Sequence, residues 1–322
     1  MSKLDEIDRG QMLFPPTPDN WDIAGPDSIR YGWDPDYINR RGQTFSPWYF
    51  AKNCSAVLGH VRVHGKSALM AEMAESIFSF LSPHIHTIAN YRYVQNDFKF
   101  NYLWHEIEPP FYGAFMNNVT AQGLLHLFEA TGIERYLLLA DRFMMTSVDP
   151  NAPIPLCSIG SGDFWLHEYV FKLEPTVRKW VKFNRSGEWF MVRIFNGHMH
   201  ALFPLMRIRE MTGTHDYDDA ISWATDTMRD LLPTQEYEGR YFSYSTDLPL
   251  YPDYNQKRAV HLAESLAKIT DDPELMASSN EMRAFWTQIE GKENELRVAG
   301  MEDTKRAHAT ALIHLKGRGQ TR

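Results

Sequence analysis

The chain has 322 residues, 43% hydrophobic and 23% charged, enough for one large domain or two smaller ones with a substantial core. Its 33 Lys and Arg stand against 41 Asp and Glu, and the resulting net charge of −8 argues against a broad nucleic-acid surface, although a local basic cleft can still hold an anion. Two cysteines, Cys54 and Cys157, exclude a disulfide framework and a Cys-based zinc site, and no stretch approaches the roughly 20 apolar residues of a membrane span. The first residues carry no apolar signal core, so a cytoplasmic location is expected.

Residues 1 to 48 are rich in Pro, Asp, Gly and aromatic residues without sustained periodicity, and read as an irregular arm packed on the body through Trp21, Tyr31 and Trp33. Residues 47 to 81 read as helical, ended by Ser82-Pro83. From 89 to 105 the period changes to two, with Tyr91, Tyr93 and Val94 leading to Phe98, Phe100 and Tyr102. Asn96-Asp97 is the expected turn of that β-hairpin. A hairpin over a cleft makes Tyr93 and Tyr102 candidate substrate contacts.

From Asn117 the chain is mostly helical, with a weak repeat. Leu127-Phe-Glu-Ala-Thr-Gly132, Ile208-Arg-Glu-Met-Thr-Gly213 and Leu266-Ala-Lys-Ile-Thr-Asp271 each end an amphipathic run, and a short polar turn and a second helix follow. Helix hairpins that cannot bury their faces alone must stack on neighbours. The expected fold is therefore mainly α, an (α/α) toroid of helical hairpins over residues 49 to 292, followed by a charged tail over 293 to 322. Two non-helical interludes, Cys157 to Arg193 and Thr234 to Asn255, contain strand-like aromatic runs, and long loops at one end of such a toroid are where a site is expected. Between them, Phe195, Met199, Leu202 and Met206 recur at helical spacing, with Asn196 as the expected N-cap, Gly213 as the stop and a kink expected at Pro204.

Several motifs fail. Gly59-His-Val-Arg-Val-His-Gly-Lys-Ser67 has one residue too many for a phosphate-binding loop and no strand before it. His198 and His200 are two apart on a helix, so they face different sides and do not share an ion. No metal ligand or cofactor is assigned.

What survives is Glu168-Tyr169, Asn196-Gly197, Tyr244 and Tyr254. Together with Asp163-Phe-Trp-Leu-His-Glu-Tyr169, Phe195-Asn-Gly-His-Met-His-Ala-Leu202, Tyr241-Phe-Ser-Tyr244 and the helix from Tyr254 to His261, these resemble, in order, the C-terminal catalytic domain of the glucuronyl C5-epimerase family. The resemblance implies an (α/α) toroid that turns D-glucuronate into L-iduronate in a heparosan-type polysaccharide. It implies Glu168, Tyr169, Tyr244 and Tyr254 as catalytic residues and Asn196 and Gly197 as substrate-binding residues. Calcium occurs in the family, but no compact carboxylate loop here demands it. The partner is an anionic uronate polymer, and a homodimer is compatible with the family. The sequence departs from the family at Asp247 and Asn255, needs an insertion between Glu168-Tyr169 and Asn196, and offers Glu188-Trp189 as a rival alignment.

The chemistry follows from the reaction. Inverting C5 of a uronate removes a proton α to a carboxylate and returns one on the other face, so it needs a base, an acid and a stabilised enediolate. A phenolate at neutral pH costs about 4 kcal/mol from a reference pKa near 10 unless cations lower it. Lys257 or Arg258 is placed to do this for Tyr254, and Arg258 and His261 are candidate substrate contacts on the same helix. A helix N-terminus at Asn196-Gly197 would hold the carboxylate. A polysaccharide lyase, a glycoside hydrolase using Glu168 and Asp247, and a non-catalytic carbohydrate-binding protein remain as alternatives.

Overall fold

The computed structural model describes residues 3–4, 45–102, 105–160, 162–172, 189–234, 236–237, 241–242, 245–246 and 256–289. Eight helices dominate these residues: α1 (Pro47–His64), α2 (Ala68–Leu81), α3 (Ala114–Thr131), α4 (Glu134–Val148), α5 (Phe195–Thr212), α6 (Asp218–Leu231), α7 (Gln256–Thr270) and α8 (Pro273–Ile289). Each odd-numbered helix packs on the even-numbered one that follows, and α1, α3, α5 and α7 pack on each other in turn. The fold is mainly α, an (α/α) arrangement of four helical hairpins with the odd helices inside.

The sequence explains which helices lie inside. α3 and α5 are buried on nearly every side, including Asn117, Asn118, Gln122 and His126 on α3. α4 and α6 bury one stripe each, Tyr136, Ala140, Phe143 and Met144 on α4 and Ala220, Ile221, Ala224 and Met228 on α6. Gly123 lets α3 approach α1 closely, because a Cβ there would lie 2.9 Å from the Phe50 ring and 3.0 Å from Ala51 Cα. The inner helices run in one direction. Phe115 and Trp48, near the starts of α3 and α1, both meet His200 near the start of α5. At the other end Glu129 of α3 binds Arg62 of α1 at 2.7 Å and Arg207 of α5 at 3.0 Å.

The repeated Thr-Gly and Thr-Asp signals end the inner helices as expected. Gly132, Gly213 and Asp271 take left-handed φ values of 77°, 71° and 52°. The threonines before them each donate to the carbonyl four residues back, Thr131 to Leu127, Thr212 to Ile208 and Thr270 to Leu266.

Five two-stranded antiparallel pairs lie between the helices: β1 (Ile85–Ile88) with β2 (Tyr91–Val94), β3 (Phe100–Tyr102) with β4 (His105–Ile107), β5 (Cys157–Ile159) with β6 (Phe164–Leu166), β7 (Tyr169–Lys172) with β8 (Trp189–Val192), and β9 (Glu236–Tyr237) with β10 (Tyr241–Phe242). Buried amides tie them to the helices. Asn117 of α3 accepts from Val94 N at 2.8 Å and donates to the Arg92 carbonyl at 3.0 Å.

Three expectations are corrected. The helical run from 47 to 81 is two helices, because Gly65 at φ 84° leaves the first and Ser67 caps the second by accepting from Met70 N. The hairpin near 89 to 105 is two ladders, and the first turns at Ala89-Asn90. Asn96 instead bridges to Phe111, exchanging backbone hydrogen bonds of 3.1 and 3.2 Å. Asn196 is not the N-cap of α5, because the Ile194 carbonyl already accepts from His198 N and puts Asn196 inside the first turn. Pro204 lies inside α5, and the helix continues past it. Of the arm over 1–48, Leu4 is buried in the core and Lys3 pairs with Asp271, while Trp21, Tyr31, Trp33 and the tail from 293 lie outside the described residues.

Candidate functional site

The starts of all four inner helices gather at one end. Trp48 of α1 meets His200 edge-on, with ring centroids 5.4 Å apart at 81°. Phe115 of α3 meets the same imidazole at 5.7 Å and 61°. From α7, the Arg258 guanidinium lies over the Trp48 ring, 5.1 Å from its centroid. Helix starts expose N–H groups and the positive end of the dipole, so this end of the molecule favours an anion.

His200 is the hub. It is buried, and its Nε2 has no hydrogen-bond partner. Burial, helped by the nearby Arg258 charge, holds its pKa down to about 3, so the ring is neutral at physiological pH. A buried imidazole nitrogen without a partner is costly in a finished core. It sits one turn beyond Asn196 on the same side of α5. Sequence inspection passed over it because His198-Met-His200 was weighed only as a metal pair. The two rings do point apart. His198 accepts from Leu166 N at 3.0 Å and contacts the Ala224 carbonyl at 3.2 Å, a structural role joining β6 to α6.

The corner between β6 and β7 closes this end. The His167 carbonyl accepts from Ala114 N at 2.7 Å, at the start of α3. The His167 ring is buried, placed near Ser158 Oγ and the Val192 carbonyl, and kept neutral by burial at about 3. Glu168 follows, 8% exposed. Its backbone presses on Gly113, where a Cβ would lie 2.8 Å from the Glu168 carbonyl carbon. Its side chain presses on Gly197, where a Cβ would lie 2.6 Å from Glu168 Cβ and 2.9 Å from the carboxyl carbon. Glycine at both helix starts makes room for one glutamate between them.

The structure thus brings together Glu168, Asn196 and Gly197, with Tyr169 next in chain. Tyr169 is buried at 7% exposure, starts β7 opposite Val192, and has its ring 6.0 Å from Phe111. Arg258 and His261 lie on α7 one turn apart, and His261 Nδ1 is 4.0 Å from Glu264 Oε2. Tyr244, Tyr254, Asp247, Asn255 and Glu188 lie outside the described residues. Close to the first of these, Ser245 bridges to Ile194 and donates to the Arg193 carbonyl, so the second interlude reaches the start of α5.

Tyr93 and Tyr102 lie on different ladders. Tyr93 is fully buried, its hydroxyl accepts from Ile154 N at 3.2 Å, and burial pushes its pKa up to about 12. Tyr102 ends β3 opposite His105 in a separate ladder. Trp189 packs edge-on against Tyr112 at 6.1 Å and receives Lys172 Nζ over its ring at 5.0 Å.

A cavity of about 660 Å³ lies at the opposite end, lined by Leu4, Met206, Arg209, Asp218, Arg229 and Ile269 among others. Its charges answer each other: Arg209 pairs with Asp218 at 3.1 Å, and Arg229 with Asp226 at 2.6 Å. It gathers neither His200 nor the helix starts. Among the described residues no group of three or more His, Cys, Asp or Glu side chains is placed to hold a metal ion, and no helix is long and apolar enough to cross a membrane.

No family model and no curated protein sequence matches the chain. Among solved structures, a D-mannose isomerase is similar at a TM-score of 0.49 and 14% identity, over 75% of this chain and 60% of that one. The chain therefore spans about 60% of the length of that protein. A likeness at this level carries no argument about activity.

Proposed function

We propose that this chain is a carbohydrate epimerase or isomerase that moves protons at a sugar carbon next to an acidic or carbonyl group, and that its reaction is C5 inversion of uronate residues in an anionic polysaccharide. The observation that carries the reading is the meeting of four helix starts, Arg258 and the neutral, unpartnered His200 Nε2 around one partly exposed tryptophan. The helix starts and Arg258 would draw electron density from the substrate carboxylate, which acidifies the adjacent C–H. A neutral imidazole needs no prior deprotonation, but burial holds His200 at about 3, so it would act as a base only if a bound carboxylate raised its proton affinity. Tyr169, Tyr244 or Tyr254 would then supply the proton on the opposite face, with Glu168 and Asn196 holding the ring. The histidine thereby takes a share of the work that sequence alone gave wholly to tyrosines.

A second reading has its own support. His200 and His261, the latter near Glu264, occupy neighbouring inner helices, and a pair of imidazoles suits proton transfer between C1 and C2 of a free aldose. One experiment separates the two. Glucuronate polymers and free aldoses are incubated in D₂O and followed by NMR. Deuterium at C5 of the polymer supports the uronate reading, deuterium at C2 of an aldose supports the second, and an unsaturated product absorbing in the ultraviolet marks a lyase. His200→Gln is expected to slow exchange at least 100-fold. Absence of exchange from every substrate would overturn both readings.

A further inference from the structure

The last turns of α1 carry two histidines that the chemistry at the other end of the helix does not use. His60 and His64 are four residues apart, so their rings share one side of the helix, with centroids 4.5 Å apart at 41°. Among the described residues neither ring has a hydrogen bond, an ion pair or a second ring contact. His64 is exposed and His60 half-buried, so solvent reaches the pair. The cations nearest in sequence are directed to α3. Glu129 binds Arg62 at 2.7 Å, and Lys66 Nζ lies 3.8 Å from where a Cβ on Gly132 would stand. The end of a helix is also the negative end of its dipole, which favours a bound cation.

A neutral imidazole binds a divalent transition ion through one ring nitrogen at about 2.1 Å, so two rings on one ion hold those nitrogens about 3 Å apart. Rings in contact one turn apart reach that spacing by rotation about their side-chain bonds, and two histidines four apart on a helix are a known way to hold zinc. Imidazole suits zinc, copper and nickel, whereas magnesium and calcium take oxygen ligands. We propose that His60 and His64 form a chelating site for a divalent ion of the zinc, copper and nickel group, with water completing the coordination. The stretch from Gly59 to Ser67, which fails as a phosphate loop, thus acquires a metal chemistry of its own. The ion fastens the last turn of α1, far from the helix starts, so its effect is on stability and the site stands apart from the sugar chemistry proposed above. An unfolded chain does not hold the two rings together, so binding favours the folded state.

The test uses the full chain without a polyhistidine tag and zinc chloride at neutral pH, followed by calorimetry. His60→Gln and His64→Gln should each weaken zinc binding at least tenfold, since even a residue that only supports a metal ligand is worth about 10- to 100-fold in affinity. His64→Cys replaces one zinc ligand by another and should keep the site, which separates loss of a ligand from damage to the helix. Excess calcium should not compete. Ring-nitrogen NMR of the wild type should show zinc shifting two histidines together, and those signals should be the ones lost in the two Gln variants. Without metal the variants should unfold at the same urea concentration as the wild type, and zinc should raise the wild-type midpoint more than theirs. No binding at millimolar zinc, affinity unchanged in both Gln variants, competition by calcium, or shifts confined to other histidines would each overturn the proposal.

Discussion

At the scale of single residues the site depends on a void. Gly197 has no side chain, and the Glu168 carboxyl group fills the space. Gly197→Ala is expected to cost about 1–3 kcal/mol, because the added methyl must displace a buried glutamate between two helix starts. Urea unfolding measures it, and Glu168→Gly in the same background, which removes the Cβ as well as the carboxyl group, should return part of the loss. A Gly197→Ala protein within about 0.5 kcal/mol of wild type would mean that the carboxyl group swings aside freely. This part of the site was legible, because Glu168, Asn196 and Gly197 stood out as residue types before any coordinates. His200 did not. Its significance comes from Trp48, Phe115 and Arg258, which the chain holds far away in sequence and only tertiary packing brings to one ring. Packing also sets the surroundings of Tyr93. As a residue type it suited a cleft, but its hydroxyl is committed to the Ile154 amide.

At the scale of elements, helix ends were more legible than helix starts. The Thr-Gly and Thr-Asp signals carry their own mechanism, a left-handed residue after a threonine bonded to its own helix, and all three end inner helices. The start of α5 depends on a distant strand bridge between Ile194 and Ser245, which no local signal reports. Likewise Gly65 and Ser67 were a stop and a cap hidden inside one long helical pattern. The contact between α1 and α3 gives the prediction that belongs here. Gly123→Ala places a methyl against the Phe50 ring and the Ala51 backbone, and the backbone cannot step aside. A loss of about 1–3 kcal/mol in urea unfolding is expected. Since α1 carries Trp48, oligosaccharide affinity should fall together with stability. Unchanged affinity would mean that the start of α1 is held independently of its middle.

At the scale of the whole molecule, three buried histidines shape the response to acid. His167, His198 and His200 are held at about 3, 4 and 3, each chiefly by burial, whereas an unfolded histidine titrates near 6.5. All three are neutral in the folded state, and the unfolded chain takes up protons below pH 6.5. Their contribution is therefore complete above pH 6.5 and is lost as the pH falls toward 3 to 4. Each contributes a slope of up to about 1.4 kcal/mol per pH unit, roughly 4 for the three together. Urea midpoints measured between pH 6.5 and 5, before most carboxylates titrate, should fall steeply, and His200→Gln should remove about a third of that slope. A flat profile would show that these rings bind protons in the folded state. Charge and composition gave no warning of this, because burial of a histidine is set by what packs on it. The hairpin architecture itself was legible, since repeated two-helix units admit few ways to bury their faces. One property of that architecture reaches further. Every strand ladder among the described residues joins segments adjacent in the chain, and single bridges, Tyr112 to Val170 and Ile194 to Ser245, tie one insert to another. Away from those two bridges a pair can therefore be lengthened, traded or deleted without shifting another out of alignment. Descendants of such a chain are free to change diet by replacing what sits between hairpins, while the helical frame is inherited intact.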